Sequence, residues 1–190
     1  MAMNDRIIQP MEGYSIMKIL VLLLLLAVGS AGASEIRFQL YQNGFCTGNP
    51  VVSADRDGRI YKNGFCTGNP IRAFQRQNNV SRLYPNGFCT GNPKYSVRFE
   101  RSRAYFFRNG FCTGNPEKSF EFQHGDIRFF NTGFCTGNPS LCIRKNRDMI
   151  QIYPNGFGTG NPSISIRIRG GANIKDVIEL FLFYCVIGMR

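Results

Sequence analysis

Apolar and polar positions alternate along this chain in a pattern that recurs on both sides of one repeated segment. Just before each copy stands an aromatic residue (Tyr41, Tyr61, Tyr84, Phe107, Phe130, Tyr153). One step earlier comes a large apolar residue (Leu40, Ile60, Leu83, Phe106, Phe129, Ile152), and before it Gln39, Arg59, Arg82, Tyr105, Arg128 or Gln151. After each copy a small residue (Ser53, Ala73, Ser96, Ser119, Cys142, Ser165) precedes an apolar one (Ala54, Phe74, Val97, Phe120, Ile143, Ile166). A mostly polar residue follows (Asp55, Gln75, Arg98, Glu121, Arg144, Arg167). Alternation with a period of two marks half-buried strands. One face is aliphatic and belongs to a core, and the other carries aromatics, Arg and Gln.

The repeated segment is the octapeptide NGFCTGNP at 43–50, 63–70, 86–93 and 109–116, with TGFCTGNP at 132–139 and NGFGTGNP at 155–162. Its first glycine recurs at 44, 64, 87, 110, 133 and 156, in one step of 20 and four of 23 residues. A fixed period in this range denotes a repeat architecture. Asn-Gly and a second Gly suit positive φ, and Asn-Pro leads out into extended chain. Phe is expected to plug each turn against its neighbour, which leaves Cys and Thr for bridging or for a ligand. A polar turn cluster lies midway in every unit: 54–58, 76–79, 100–103, 123–126, 145–148 and 169–173.

Two strands per unit predict an all-β antiparallel up-and-down meander of about twelve strands. Alternate turns share an edge, so the six octapeptides line one rim, roughly 9.5–10 Å apart at a strand spacing of ~4.8 Å. An apolar face that long must close into a barrel or fold over on itself. A β-helix or solenoid with one coil per copy is the alternative.

Three segments follow along the chain. Residues 1–33 form a leader whose 17–33 core, with Lys18, the apolar run 19–28 and the small residues 31–33, reads as a secretory signal peptide. Residues 34–173 form the six-repeat domain, and 174–190 an apolar segment expected to cap the array. The expected location is secreted, extracellular.

Charge then narrows the partners. The net charge of +11 falls wholly on residues 34–190, because Arg6 and Lys18 balance Asp5 and Glu12. A domain this basic attracts polyanions: acidic polysaccharide, anionic lipid or nucleic acid without specific recognition. The basic strand face comprises Arg59, Arg82, Arg98, Arg128, Arg144 and Arg167. Export makes disulfides the default for Cys46, Cys66, Cys89, Cys112, Cys135 and Cys142. Asn79 heads a glycosylation sequon. Close C-x2–4-C pairs are missing, His124 is the single histidine, and no carboxylates pair across units. The pattern gives no metal site, cofactor or enzyme activity.

The period of 23 and the spacing Tyr-x-Asn-Gly-x-x-x-Gly (Tyr61, Asn63, Gly64, Gly68; Tyr84, Asn86, Gly87, Gly91) resemble membrane-occupation-and-recognition-nexus (MORN) repeats over about residues 36–169. That resemblance implies an extended antiparallel meander and an association with membrane attachment and scaffolding. Pro stands here where that family tends to have another Gly.

The expected function is a non-enzymatic extracellular binding or surface-scaffold module for polyanionic or carbohydrate surfaces, with a membrane surface possible. Its sites are the rim residues Phe45, Thr47, Asn49, Phe65, Thr67, Asn69, Phe88, Thr90, Asn92, Phe111, Thr113, Asn115, Phe134, Thr136 and Asn138. Alternatives are an ice- or crystal-surface binder, from the recurring Thr-Gly-Asn, and a multi-copy peptide precursor.

Overall fold

The computed structural model describes residues 35–183; the leader, Cys185 and the rest of the C-terminal end lie outside the described residues. Strands run β1 Ile36–Tyr41, β2 Val52–Asp55, β3 Arg59–Tyr61, β4 Arg72–Gln77, β5 Val80–Tyr84 and β6 Tyr95–Phe99. They continue as β7 Arg103–Phe107, β8 Lys118–Gln123, β9 Asp126–Phe130, β10 Leu141–Asn146, β11 Met149–Tyr153 and β12 Ile164–Ile168. Each pairs antiparallel with its sequence neighbours, and β1 pairs with β12, so the meander is a closed barrel. Closure removes both sheet edges and sets aside the solenoid.

Alternation puts Leu40, Ile60, Leu83, Phe106, Phe129 and Ile152 inside, with Ala54, Phe74, Val97, Phe120, Ile143 and Ile166, in one core cluster. About eight strands enclose a space that side chains alone can fill; twelve enclose more. The C-terminal segment fills it. Helix α1 (Ile174–Phe181) starts at Asn173, which forms a capping box with Asp176. Val177, Ile178, Leu180, Phe181, Leu182 and Phe183 then join the strand residues in the same core. Phe181 sets its ring edge against Phe120 and Phe129, at centroid distances of 5.8 and 5.1 Å. The segment is thus a plug inside the barrel rather than a cover over the end of an array.

Two carboxylates accompany the plug. Asp176 accepts from Arg37 at 2.6 Å and Arg76 at 2.8 Å, while Glu179 takes Arg76 at 2.7 Å and the hydroxyl of Ser81. Buried acids need such partners to remain charged. Burial pushes the Glu179 carboxyl up, against the opposing pull of Arg76 and Ser81.

The first glycine of each octapeptide closes the ring. A Cβ on Gly64 would lie 2.7 Å from the carbonyl oxygen of Pro50, and one on Gly87 2.5 Å from that of Pro70. Gly110, Gly133 and Gly156 meet Pro93, Pro116 and Pro139 in the same way, and Gly44 meets Pro162 across the β1–β12 seam. Every loop therefore stands on the proline of the unit before it. The positive φ expected from Asn-Gly lies elsewhere, at the second glycine (Gly48, φ 76°) and at Cys46 (φ 52°).

Two measurements follow from this arrangement. Gly87→Ala should destabilise the barrel by about 1–3 kcal/mol in chemical denaturation, the cost of overpacking. Gly171→Ala, with no neighbour within 4 Å, should be neutral. For Glu179, the folded carboxyl binds its proton at higher pH than the unfolded one. Stability therefore rises as pH falls from above the raised folded pKa to the ordinary carboxylate range. Glu179→Gln removes this contribution, so wild type should gain on the variant as pH is lowered through that window.

Candidate functional site

All six octapeptides connect strands at the same barrel end, as the pattern predicts, but they do not stand up from it. The residue after each Pro ties the neck of its loop to the strand, as in Val51 N–H to Leu40 C=O at 2.8 Å and Ile71 N–H to Ile60 C=O at 2.8 Å. The first residue braces the interior. Asn43 donates through Nδ2 to Thr47 C=O at 2.8 Å and accepts from Phe45 N–H at 3.0 Å, and Asn63, Asn86, Asn109 and Asn155 repeat both bonds. Thr132 keeps the brace in the fifth copy by donating to Thr136 C=O. Asn thus serves through its side chain, as in an Asx turn.

Each loop then folds back over the outer wall onto the preceding unit. The Ser53 hydroxyl accepts from Cys66 N–H at 2.8 Å and donates to Asn63 C=O at 2.6 Å, joining both halves of one loop. Ser96 does this for Cys112 and Asn109, and Ser119 for Cys135 and Thr132. Ser165 does it for Cys46 and Asn43, 119 and 122 residues away in sequence. Each small residue also pairs in register with an aromatic, such as Ser53 with Tyr61 and Ser165 with Tyr41. Tyr41, Tyr61, Tyr84, Phe107, Phe130 and Tyr153 are buried, yet they lie outside the interior core cluster. The loops roof them as a second apolar layer.

The cysteines belong to this roof. The six described cysteines are free thiols, so the expected disulfides do not form among them. Each motif Cys turns down over the small residue of the preceding unit, and neighbouring loops sit two strands apart, about 9.5–10 Å, beyond the ~4.4–6.8 Å span of a bridge. Cys46, Cys66, Cys89, Cys112 and Cys135 all hold φ between 51° and 54°. That left-handed conformation costs a non-glycine residue about 1–2 kcal/mol. Burial pushes the thiols of Cys66, Cys89, Cys135 and Cys142 up, the opposite of what an activated nucleophile needs.

Two exceptions to the repeat compensate each other. The one small position occupied by Cys is Cys142, and the one motif that lacks Cys has Gly158. They meet: a Cβ on Gly158 would lie 2.9 Å from Cys142 Sγ. The thiol comes from below instead of from above. Both substitutions are visible in the sequence; that they touch follows only once the loop of one unit is known to lie on the unit before it.

What remains outside is the surprise. Phe45, Phe65, Phe88, Phe111, Phe134 and Phe157 plug nothing; their exposures run from 55% (Phe65) to 66% (Phe157). The Thr hydroxyls of Thr47, Thr67 and Thr113 turn inward to the bracing Asn, at 3.3–3.5 Å. Asn49, Asn69, Asn92, Asn115, Asn138 and Asn161 are exposed. The loops therefore girdle the barrel with a repeated Phe and Asn.

The basic face is more committed than its composition implies. Arg59 pairs with Asp57 at 3.3 Å, Arg98 with Glu100 at 3.4 Å and Arg144 with Asp126 at 2.7 Å. Asp126, held chiefly by Arg144, stays below the usual carboxylate range. Arg82 donates to Gln77, Arg167 to Cys46 C=O, and Arg128 is half-buried. Asn79 is exposed in the β4–β5 turn and donates to Phe99 C=O.

No protein-family model, curated protein or solved structure matches this chain. The likeness to MORN repeats is one of period and turn residues, and the meander here is closed rather than extended.

The roof is testable by a mutant cycle. Gly158→Cys alone should destabilise by about 1–3 kcal/mol, and adding Cys142→Ser should recover most of it. Ser96→Ala, which strands Cys112 N–H and Asn109 C=O, should cost about 1–2 kcal/mol, and Ala73→Ser should gain about 0.5–1 kcal/mol. Urea denaturation curves read all four.

Proposed function

We propose that this protein is an extracellular, non-enzymatic binding module that grips a carbohydrate surface through many equivalent weak contacts. The observation that carries this role is the set of six exposed Phe side chains. Gly, Pro, Cys, Thr and the first Asn of the motif all have duties within the barrel. Phe has none, and an exposed apolar side chain kept in every copy calls for contact with something else. Beside it, the exposed second Asn offers both an acceptor and donors. A flat ring with hydrogen-bonding edge beside it is the shape of a pyranose face.

Repetition supplies strength. Six sites that are each weak act together on a surface with its own repeat, because every contact after the first is intramolecular. Net charge of +11 adds long-range attraction to acidic polymers. With Arg59, Arg98 and Arg144 already paired, that charge steers more than it recognises. Strands of three to six residues are shorter than the ~9–11 of a membrane-spanning strand, which favours a surface role over a spanning one.

Retention on immobilised acidic and neutral polysaccharides tests the role. Phe→Ser should be introduced at one, three and all six loops, with circular dichroism confirming the fold. Retention should fall more steeply than in proportion to the number of loops changed, as avidity requires. A folded six-fold variant that binds like wild type, or a wild type retained on none of the matrices, would overturn it.

A further inference from the structure

At the seam of the barrel the first loop lies on the last unit. There Phe45, Asn146, Arg147, Asp148, Met149 and Arg167 line a groove of about 410 Å³ on the outer wall, with Cys46 behind them. Its size is in the range of small-ligand sites.

Its charges differ from those of the equivalent positions around the barrel. At two of the equivalent positions the residue is paired with the one facing it across the strands. Glu121 faces Arg103 in register and pairs with it at 3.4 Å; Arg144 faces Asp126 and pairs at 2.7 Å. Arg167 faces Met149 instead. Its guanidinium lies over Tyr41 and gives one donor to Cys46 C=O at 3.1 Å. Among the described residues neither Arg167 nor Arg147 has a carboxylate in ion-pair range. Arg147 adds a second anomaly, since it occupies a turn position with φ 53°. The corresponding turns place Asn78 and His124 there, and Gly would take the conformation without strain. A long cationic side chain kept in a left-handed turn beside an unpaired arginine points to use of its charge.

Resting on the carbohydrate role proposed above, we infer that this groove is a subsite for a carboxylated sugar ring, a uronic acid residue at the end or within a polysaccharide. Phe45 supplies the apolar wall for the ring face. Arg147 and Arg167 supply planar donors for the carboxylate. Asp148 accepts from ring hydroxyls, and Asn146 both accepts from and donates to them. Asp148 also sets the choice of anion. A carboxylate on the wall opposes a phosphate dianion more than a singly charged carboxylate, and it is useful to a ligand that brings hydroxyl donors.

Calorimetric titration with a galacturonic acid trimer, expected to bind at one site per chain, tests this subsite separately from the six-loop avidity. Maltotriose and a phosphorylated maltotriose serve as comparators. The uronate should bind best of the three, with affinity falling as salt rises. Arg167→Met and Arg147→Gly should each weaken it tenfold or more. Because Gly relieves the strained turn, Arg147→Gly should melt at or above the wild-type temperature, so its loss of binding cannot come from unfolding. No binding of the trimer, equal binding of maltotriose, tighter binding of the phosphorylated sugar, or unchanged affinity in Arg147→Gly would each overturn the inference. If the trimer fails while polysaccharide retention still depends on the six Phe, the module stands without this subsite. If the trimer binds and retention ignores the Phe, the subsite stands without the avidity.

Discussion

Everything in this barrel depends on one contact made six times: a loop set down on the unit before it. The glycine of each loop abuts a proline of its predecessor, and the following Cys N–H reaches the outer wall of the same predecessor. A contact between unit n and unit n−1 has direction, and a directed contact between like units makes a ring when its rotation closes. Here it closes after six, when Gly44 meets Pro162 and Cys46 meets Ser165. The octapeptide is constant because it is an interface with itself, seen once from above and once from below.

Two consequences separate the layers. A twelve-stranded wall leaves an interior too wide for its own side chains, so the chain's C-terminal segment is spent as filling, with Asp176 and Glu179 tied to Arg37 and Arg76. Outside, the aromatics that precede each loop would be exposed on a bare barrel, and the folded-back loops cover them. The protein therefore buries apolar residues on both faces of its sheet, those of the outer face standing beside Arg, Gln and Ser. Its polar exterior is made largely by turns and by the rims of the loops.

Much of this was legible in the sequence, and the failures are instructive. Alternation around 41, 61, 84, 107, 130 and 153 marks the strands and their two faces. The choice between meander and solenoid, and with it the shared rim, is made by the pairing of each strand with its neighbours. Burial of the second face was not legible, since a Tyr with an Arg neighbour suits solvent as well as a roof. Gly44 invited a positive-φ explanation, but crowding selects the same residue, and composition cannot tell the two apart. Phe45 and Cys46 exchange places for a similar reason: an invariant aromatic reads as core, an invariant cysteine as a bridge or ligand. The folded-back loop inverts both, exposing the ring and burying the thiol. The seam groove had no signal, because it joins Phe45 of the first loop to Met149 and Arg167 at the other end of the repeat array, residues that only closure of the barrel brings together.

The proposed binding surface inherits its geometry from the same footing, so that footing is the place to test the account. Amide hydrogen exchange at the motif cysteines measures it directly. Cys46, Cys66, Cys112 and Cys135 each donate to a Ser hydroxyl of the preceding unit, while the equivalent position in the unit before Cys89 is Ala73, which has none to offer. The account predicts strong protection at the first four and fast exchange at Cys89, with Cys46 as protected as the rest although its partner lies 119 residues away in sequence. Fast exchange at all five, or at Cys46 alone, would contradict the closed ring of loops standing on their neighbours.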